Sequence, residues 1–229
     1  CGNRFEFRAC GSSQNCAFPI LACNAVMAAG MAAMSKLVEG GKSHQEAVTQ
    51  IFKENRHVIF TGNGYGADWP VEAAKRGLPN LTPTPLAIPT FNSDKNKALF
   101  KALQIYGDDE TDARTEVMFE NYTNTLSVEV ETMIAMTKTG FLPACAKDLA
   151  QFAGFPAGAG DKAKVYAAIP PVLAEVEKLF AAKPHDLAAE ATYLCDTVKP
   201  AMDKLRAAVD AAEAEMDAAL YPYPTYEAL

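Results

Sequence analysis

The start of the chain places two arginines and a glutamate at alternate positions, as Arg4, Glu6 and Arg8, with Phe5 and Phe7 between them. Because successive side chains of an extended chain point to opposite faces, the pattern predicts a strand with its charged groups on one side. A carboxylate between two guanidinium groups stays ionised and suits a divalent cation, whereas the arginines suit phosphate or carboxylate groups. The spacing leaves a second interpretation open, an edge strand with a solvated charged face.

Several segments, in the same order along the chain, resemble the carboxy-terminal portion of type III glutamine synthetases. The first, residues 2–19, is similar to the last strand of the catalytic barrel and the helix that follows it. The other segments are residues 58–65 with Trp69 and residues 74–78, residues 120–122, and the closing residues 221–226. The resemblance covers much of the chain, but only the end of the longer family proteins.

The resemblance implies an ATP-dependent ligase that phosphorylates the side-chain carboxylate of glutamate and lets ammonia displace the phosphate. On the matching positions, it implies that Glu6 is a ligand of one metal ion and that Arg4 contacts nucleotide phosphate. Arg8 would contact the transferred phosphoryl group or the substrate carboxylate. ATP and Mg²⁺ or Mn²⁺ are the implied cofactors. A related ligase that joins another amine to glutamate remains an alternative, because the Arg-x-Glu-x-Arg strand recurs across that superfamily.

A single strand cannot satisfy its backbone groups or bury Phe5 and Phe7 alone, so we expect its partner strands in an upstream part of the same protein. One carboxylate also cannot complete an Mg²⁺ octahedron, and the remaining ligands are expected upstream as well. We therefore expect the 229 residues alone to be inactive. The resemblance further implies a large homo-oligomer of stacked rings.

Composition narrows the classes of partner. A net charge of −7 and a pI near 5.1 argue against nucleic acid and anionic membranes as partners. No apolar run reaches the roughly 20 residues that span a bilayer, so we expect a cytoplasmic protein without a membrane segment. The six cysteines show no metal-binding or disulfide pattern, and free, mostly buried thiols are expected.

The predicted fold is mainly α, with one amino-terminal strand that belongs to an incomplete α+β catalytic domain, followed by an antiparallel helical bundle. Residues 1–92 are assigned to the catalytic domain and residues 93–229 to the bundle. In the first part we expect a buried helix over residues 18–38, a helix opened by a Ser43–Glu46 capping box, and an irregular segment over residues 78–92. The glycines of residues 61–66 predict a turn with positive φ.

Two stretches of the second part repeat apolar residues in steps of three and four, which predicts helices packed along a seam. They are Val165, Ile169, Val172, Val176 and Leu179, then Leu194, Val198, Ala201, Leu205, Ala208 and Ala212. Such a bundle also fits another class of function, a non-catalytic module that mediates assembly. No catalytic set of His, Asp, Ser or Cys can be assembled from the local sequence.

Overall fold

The computed structural model describes residues 15–224, and this part of the chain is mainly helical, as predicted. The predicted strand around Arg4, Glu6 and Arg8 lies outside the described residues, as do Cys1 and Cys10. The α-helices are α1 Ala17–Glu39, α2 His44–Glu54, α3 Trp69–Lys75, α4 Thr84–Phe91, α5 Asp94–Ala102, α6 Asp108–Met136, α7 Leu142–Ala150, α8 Lys162–Ala167, α9 Ile169–Ala181, α10 Leu187–Tyr193 and α11 Lys199–Glu215. Shorter helical segments are the 3₁₀ turns Arg56–Val58, Pro156–Ala159 and Ala218–Leu220, and the π-helical turns Thr137–Phe141 and Leu194–Val198.

The described residues divide into two compact units. The first contains residues 15–82 and 90–112, and the second contains residues 83–89 and 113–224. In the first unit an aromatic cluster joins Phe18, Phe91, Phe100 and Tyr106, with Phe91 and Phe100 buried. The domain boundary predicted at residue 92 stays a prediction.

Helix α1 corrects the expectation of a buried helix. Its bounds match the predicted helix, but among its residues only Ala25 is buried. Several of its large apolar side chains are exposed, at 42–67% of their accessible surface: Phe18, Ile20, Val26, Met27 and Met31. Leu21, Met34, Leu37 and Val38 are partly buried. Apolar composition predicts that a surface is suited to burial, whereas burial itself requires another element to cover it. Within residues 15–224, no element covers the face that Ile20, Met27 and Met31 share, because each of these side chains is more than half exposed. Cys16 and Cys23 are exposed too, which corrects the expectation of buried thiols there, whereas Cys145 is buried.

Helix α1 is also long and apolar enough, by length and composition alone, to cross a membrane. It has 23 residues, and an 18-residue window reaches a mean hydropathy of 1.7. This corrects the statement that no apolar stretch is long enough. The prediction counted an uninterrupted run of apolar residues, and Gly, Ser and Asn in α1 interrupt such a run. A mean hydropathy over the window stays high despite these residues.

Local signals set the ends of α1, α2 and α3. Gly41, at φ +94°, follows α1, and Gly77, at φ +72°, follows α3. The Ser43–Glu46 capping box is present, with the Ser43 amide donating to Glu46 Oε2 at 2.9 Å. His44 is an exposed residue in the first turn of α2. These ends follow from glycine's access to positive φ and from the capping of free amides.

The proline-rich segment over residues 78–92 is partly helical, which corrects the prediction of an irregular crossing. Helix α4 forms here despite Pro89 in its interior. Pro85 lies in its first turn, where its missing N–H removes no helical hydrogen bond. Only Pro89 therefore costs the helix a backbone bond, and this helix is only 8 residues long.

The second unit contains an antiparallel helical hairpin, with α8 and α9 in one arm and α10 and α11 in the other. Along α8, α9 and the loop that follows α9, residues meet partners of falling residue number: Lys162 with the Glu215 carbonyl, Glu175 with Lys204 at 3.7 Å, and Lys183 with Glu190 at 2.7 Å. The predicted seam residues pack between the arms, and Ile169, Val176, Leu194 and Leu205 are fully buried there. Pro170 and Pro200 lie in the first turns of α9 and α11, where a missing N–H removes no helical hydrogen bond.

Candidate functional site

The three residues predicted to carry catalysis, Arg4, Glu6 and Arg8, lie outside the described residues, so their roles stay predictions. Within residues 15–224, no group of three or more His, Cys, Asp or Glu side chains is placed to hold a metal ion.

The first unit does contain an organised cluster, and it lies in the segment that resembles the family signature around residues 58–78. Phe60 and Trp69 stack with their ring centroids 4.0 Å apart. The guanidinium carbon of Arg76 lies 5.5 Å from the Phe60 centroid and 5.8 Å from the Trp69 centroid. Arg76 also donates from Nε to Glu72 at 2.7 Å and from Nη1 to the Ile59 carbonyl at 2.9 Å. These contacts hold its planar side chain in one orientation.

The glycines beside this cluster do not adopt the positive φ that the sequence predicted. Of the described glycines, Gly41, Gly77 and Gly160 have positive φ, whereas Gly62, Gly64 and Gly66 do not. The requirement at Gly62 is close approach, because a Cβ there would lie 2.9 Å from Cε2 of Phe60. Gly62 therefore makes room for the ring that stacks on Trp69.

A cleft of about 880 Å³ opens between α2, the Arg56–Val58 turn and Arg76 in the first unit. Its basic lining consists of Lys53, Arg56, His57 and Arg76. Its apolar lining is formed by Val48, Phe52 and Ile59, and Thr49 completes the wall. No carboxylate is among the described residues that line it. Sequence reasoning did not bring these side chains together, because Arg76 joins them from 17 residues beyond Ile59.

A buried polar network, which sequence reasoning missed, lies in the second unit. Asp148 is 1% exposed and accepts from Lys162 at 2.8 Å and from the Tyr166 hydroxyl at 2.6 Å. Burial and the neighbouring carboxylate raise the pKa of Tyr166. The signal in the sequence is an acid that shares the buried face of α7 with Ala144 and Cys145. The network is enclosed and opens to none of the described clefts, which indicates a structural role.

The two family-like segments of this unit, residues 120–122 and 221–226, also contribute to packing where the structure describes them. Burial, and then a hydrogen bond with Cys195, raises the pKa of Tyr122. In the closing patch, Tyr221 and Tyr223 pack against Phe141, with ring centroids 5.8 Å and 5.4 Å away. The Tyr223 hydroxyl donates to the Met136 carbonyl at 3.0 Å. Tyr226 lies outside the described residues.

The segment that contains the cluster of the first unit is similar to a known protein family. Residues 44–154 match the family model of the glutamine synthetase C-terminal domain. The match includes the Phe60–Trp69–Arg76 cluster and the cleft beside it.

Three individual proteins are also similar to the chain. A glutamine synthetase of Bacteroides fragilis is 28% identical to the chain over 100% of its length, and the alignment covers 35% of that relative. A type-3 glutamine synthetase of Dictyostelium discoideum is 38% identical over 63% of the chain and 20% of the relative. A glutamine synthetase of Butyrivibrio fibrisolvens is 31% identical over 81% of the chain and 30% of the relative. The chain thus spans between 20% and 35% of the length of these relatives.

These matches confirm the resemblance to the carboxy-terminal portion of type III glutamine synthetases.

Proposed function

We propose that this chain is the carboxy-terminal part of an ATP-dependent ligase that makes glutamine from glutamate and ammonia. The observation that carries the proposal is the similarity of the chain to the carboxy-terminal regions of proteins named glutamine synthetase. The Arg4, Glu6 and Arg8 pattern supports it independently, because it offers a carboxylate and two guanidinium groups at strand spacing.

In this proposal each charged residue of the first strand has one task. Glu6 supplies a carboxylate oxygen to a divalent cation, Mg²⁺ or Mn²⁺, and that cation offsets negative charge on the phosphates of ATP. Arg4 holds a nucleotide phosphate, and Arg8 holds the transferred phosphoryl group or the glutamate carboxylate. Phe5 and Phe7 anchor the strand from its opposite face.

The chain supplies only part of such a site. A single carboxylate does not complete the coordination of a divalent cation, so we propose that strands of an upstream part of the protein provide the other ligands. The 229 residues alone would then be inactive. The complete protein would be a cytoplasmic homo-oligomer of stacked rings that binds neither nucleic acid nor membrane.

Replacing Glu6 with Gln in the complete protein tests the proposal, because the amide keeps the size of the side chain but loses its charge. We expect divalent-cation binding to weaken, and glutamate- and ammonium-dependent phosphate release from ATP to fall by about a hundredfold or more. The thermal unfolding transition should not move. Phe5→Tyr is the matched control on the opposite face and should retain most of the activity. Unchanged metal affinity in Glu6→Gln would remove Glu6 from the site.

A second experiment identifies the amine that the ligase joins to glutamate. Replacing ammonium with a series of primary amines in the phosphate-release assay distinguishes a glutamine synthetase from a ligase that joins another amine to glutamate. Ammonium should support the highest kcat/KM. A larger value for an organic amine would transfer the chain to the related class of ligase.

The non-catalytic assembly module is supported by one specific observation, the exposed apolar face of α1. In that alternative, the complete protein would show no phosphate release with any amine, and this result separates the two candidates.

A further inference from the structure

The basic cleft of the first unit has no task in the proposed ligase reaction. It combines four basic side chains, Lys53, Arg56, His57 and Arg76, with no carboxylate among the described lining residues. Glu72, outside this lining, pairs with Arg76 at 2.7 Å and offsets part of its charge, so Lys53 and Arg56 supply most of the positive charge. The chain as a whole carries a net charge of −7. A local cluster of positive charge in an acidic chain attracts anions to that one place, because a concave surface concentrates the field of the charges that line it.

The guanidinium group of Arg76 is held in one orientation by its neighbours. Arg76 is fixed by Glu72 at 2.7 Å, by the Ile59 carbonyl at 2.9 Å and by the Phe60 and Trp69 rings. Its side chain is 25% exposed, so it reaches the cleft from a largely packed position. A guanidinium that is already oriented loses little side-chain entropy when it binds an anion.

The wall beside the cations is apolar and open. Phe52 is 61% exposed, and Ile59 and Val48 are 44% and 37% exposed. Exposed aromatic rings provide stacking surfaces for planar heterocycles, and aliphatic neighbours extend the contact. The cleft volume of about 880 Å³ lies within the range of small-molecule sites. The lining therefore fits a ligand with a flat apolar part and a multiply charged anionic part.

We propose that this cleft binds a nucleoside phosphate, with its phosphates on Lys53, Arg56 and Arg76 and its base against Phe52. His57 donates a further hydrogen bond to the phosphates or the sugar. Because Lys53, Arg56 and Arg76 can contact the phosphates directly, we expect binding in this cleft without a divalent cation.

The test is calorimetric titration of the full-length protein with ADP in the presence of EDTA, which removes the metal-dependent contribution of the proposed ligase site. The wild-type protein should bind ADP, and added salt should weaken the binding. The double variant Lys53→Ser/Arg56→Ser should bind ADP at least about tenfold more weakly, because two charge-assisted contacts are lost. Lys75→Ser is the matched control, since it removes a cation of α3 that does not line the cleft.

Two fragments of the probe test the two halves of the cleft. Pyrophosphate and adenosine should each bind more weakly than ADP, and Phe52→Ser should weaken ADP binding but leave pyrophosphate binding unchanged. Equal thermal unfolding of the variants shows that the fold is intact, which is expected because Lys53, Arg56 and Phe52 are all exposed. The proposal is overturned if wild-type protein does not bind ADP in EDTA, or if the double variant binds it as tightly. Pyrophosphate that binds as tightly as ADP would also overturn it.

Discussion

At the scale of single residues, Asp148 is a charged side chain that is almost fully buried. Its carboxylate is buried and joins α7 to α8 through Lys162 and Tyr166. Lys162 also donates to the backbone carbonyl of Glu215 at the end of α11, so the network connects three helices. A buried charge is tolerated when each partner is satisfied, whereas loss of one partner leaves the others desolvated without compensation.

We therefore expect Asp148→Ala to reduce the free energy of unfolding by about 3–5 kcal/mol, because the Lys162 charge and the Tyr166 hydroxyl lose their shared acceptor. Tyr166→Phe is the matched control. It removes one donor and keeps the Asp148–Lys162 ion pair, so it should cost about 1–2 kcal/mol. Denaturant unfolding of the chain measures both values, and equal costs for the two variants would contradict this account.

The same carboxylate makes stability depend on pH. Burial alone would raise the pKa of Asp148, but the hydrogen bonds from Lys162 and Tyr166 outweigh burial and lower this pKa below its ordinary value. In the unfolded chain an aspartate titrates near pH 3.9, so below about pH 4 the unfolded state binds the proton first. The contribution of Asp148 is thus complete above that pH and is lost as pH falls through the lower folded-state pKa. Between pH 6 and pH 3, the free energy of unfolding should fall more steeply for wild type than for Asp148→Asn.

At the scale of elements, the π-helical turn Thr137–Phe141 forms a docking place for the segment that follows α11. A π turn widens the helix and moves backbone carbonyls out of the regular ladder. The Tyr223 hydroxyl bonds to the Met136 carbonyl, and the Tyr223 ring lies over Gly140. A Cβ on Gly140 would lie 2.7 Å from Cζ of Tyr223, so glycine at this position makes room for the ring.

We expect Gly140→Ala to displace Tyr223 and to make residues 220–224 more accessible to protease. In a Tyr223→Ala background the clash is absent, and there Gly140→Ala should stabilise the chain by about 0.5–1 kcal/mol through its helix propensity. Tyr223→Phe, which loses only the hydrogen bond, should cost about 1 kcal/mol. A double-mutant cycle of unfolding free energies separates these effects. Additive costs for Gly140→Ala and Tyr223→Ala would show that the ring does not require the glycine.

At the scale of the whole molecule, the exposed apolar face of α1 is a surface on which another part of a protein could pack. The chain spans only 20–35% of the length of its curated relatives, and we propose that an upstream part of the protein packs on this face. In the 229-residue chain, Met27→Lys and Met31→Lys should change the free energy of unfolding by less than about 0.5 kcal/mol.

In the full-length protein, the same two substitutions should lower its thermal stability or disrupt its assembly, because each would bury a charge without a partner. Glu39→Lys, at the exposed end of the helix, is the control and should have no such effect. If Met27→Lys is tolerated equally well in the full-length protein, an upstream part does not cover this face.

The sequence by itself determined those features whose partners lie at fixed short separations. The Ser43–Glu46 capping box needs residues three apart, and the seam through Ile169, Val176 and Leu205 needs only helical periodicity. The glycine stops after α1 and α3 are equally local, because they depend on one residue's access to positive φ. The same short-range information also indicated the resemblance that the comparisons confirm.

The tertiary structure decided the features that join distant positions or depend on what covers a surface. Arg76 reaches the Ile59 carbonyl across 17 residues, and Lys162 reaches Asp148 across 14, separations that no periodicity specifies. The exposure of Phe52 and the whole apolar face of α1 likewise follow from packing, since composition states what a side chain prefers and not what lies against it. Arg4, Glu6 and Arg8 remain known from the sequence alone, because they lie outside the residues that the structure describes.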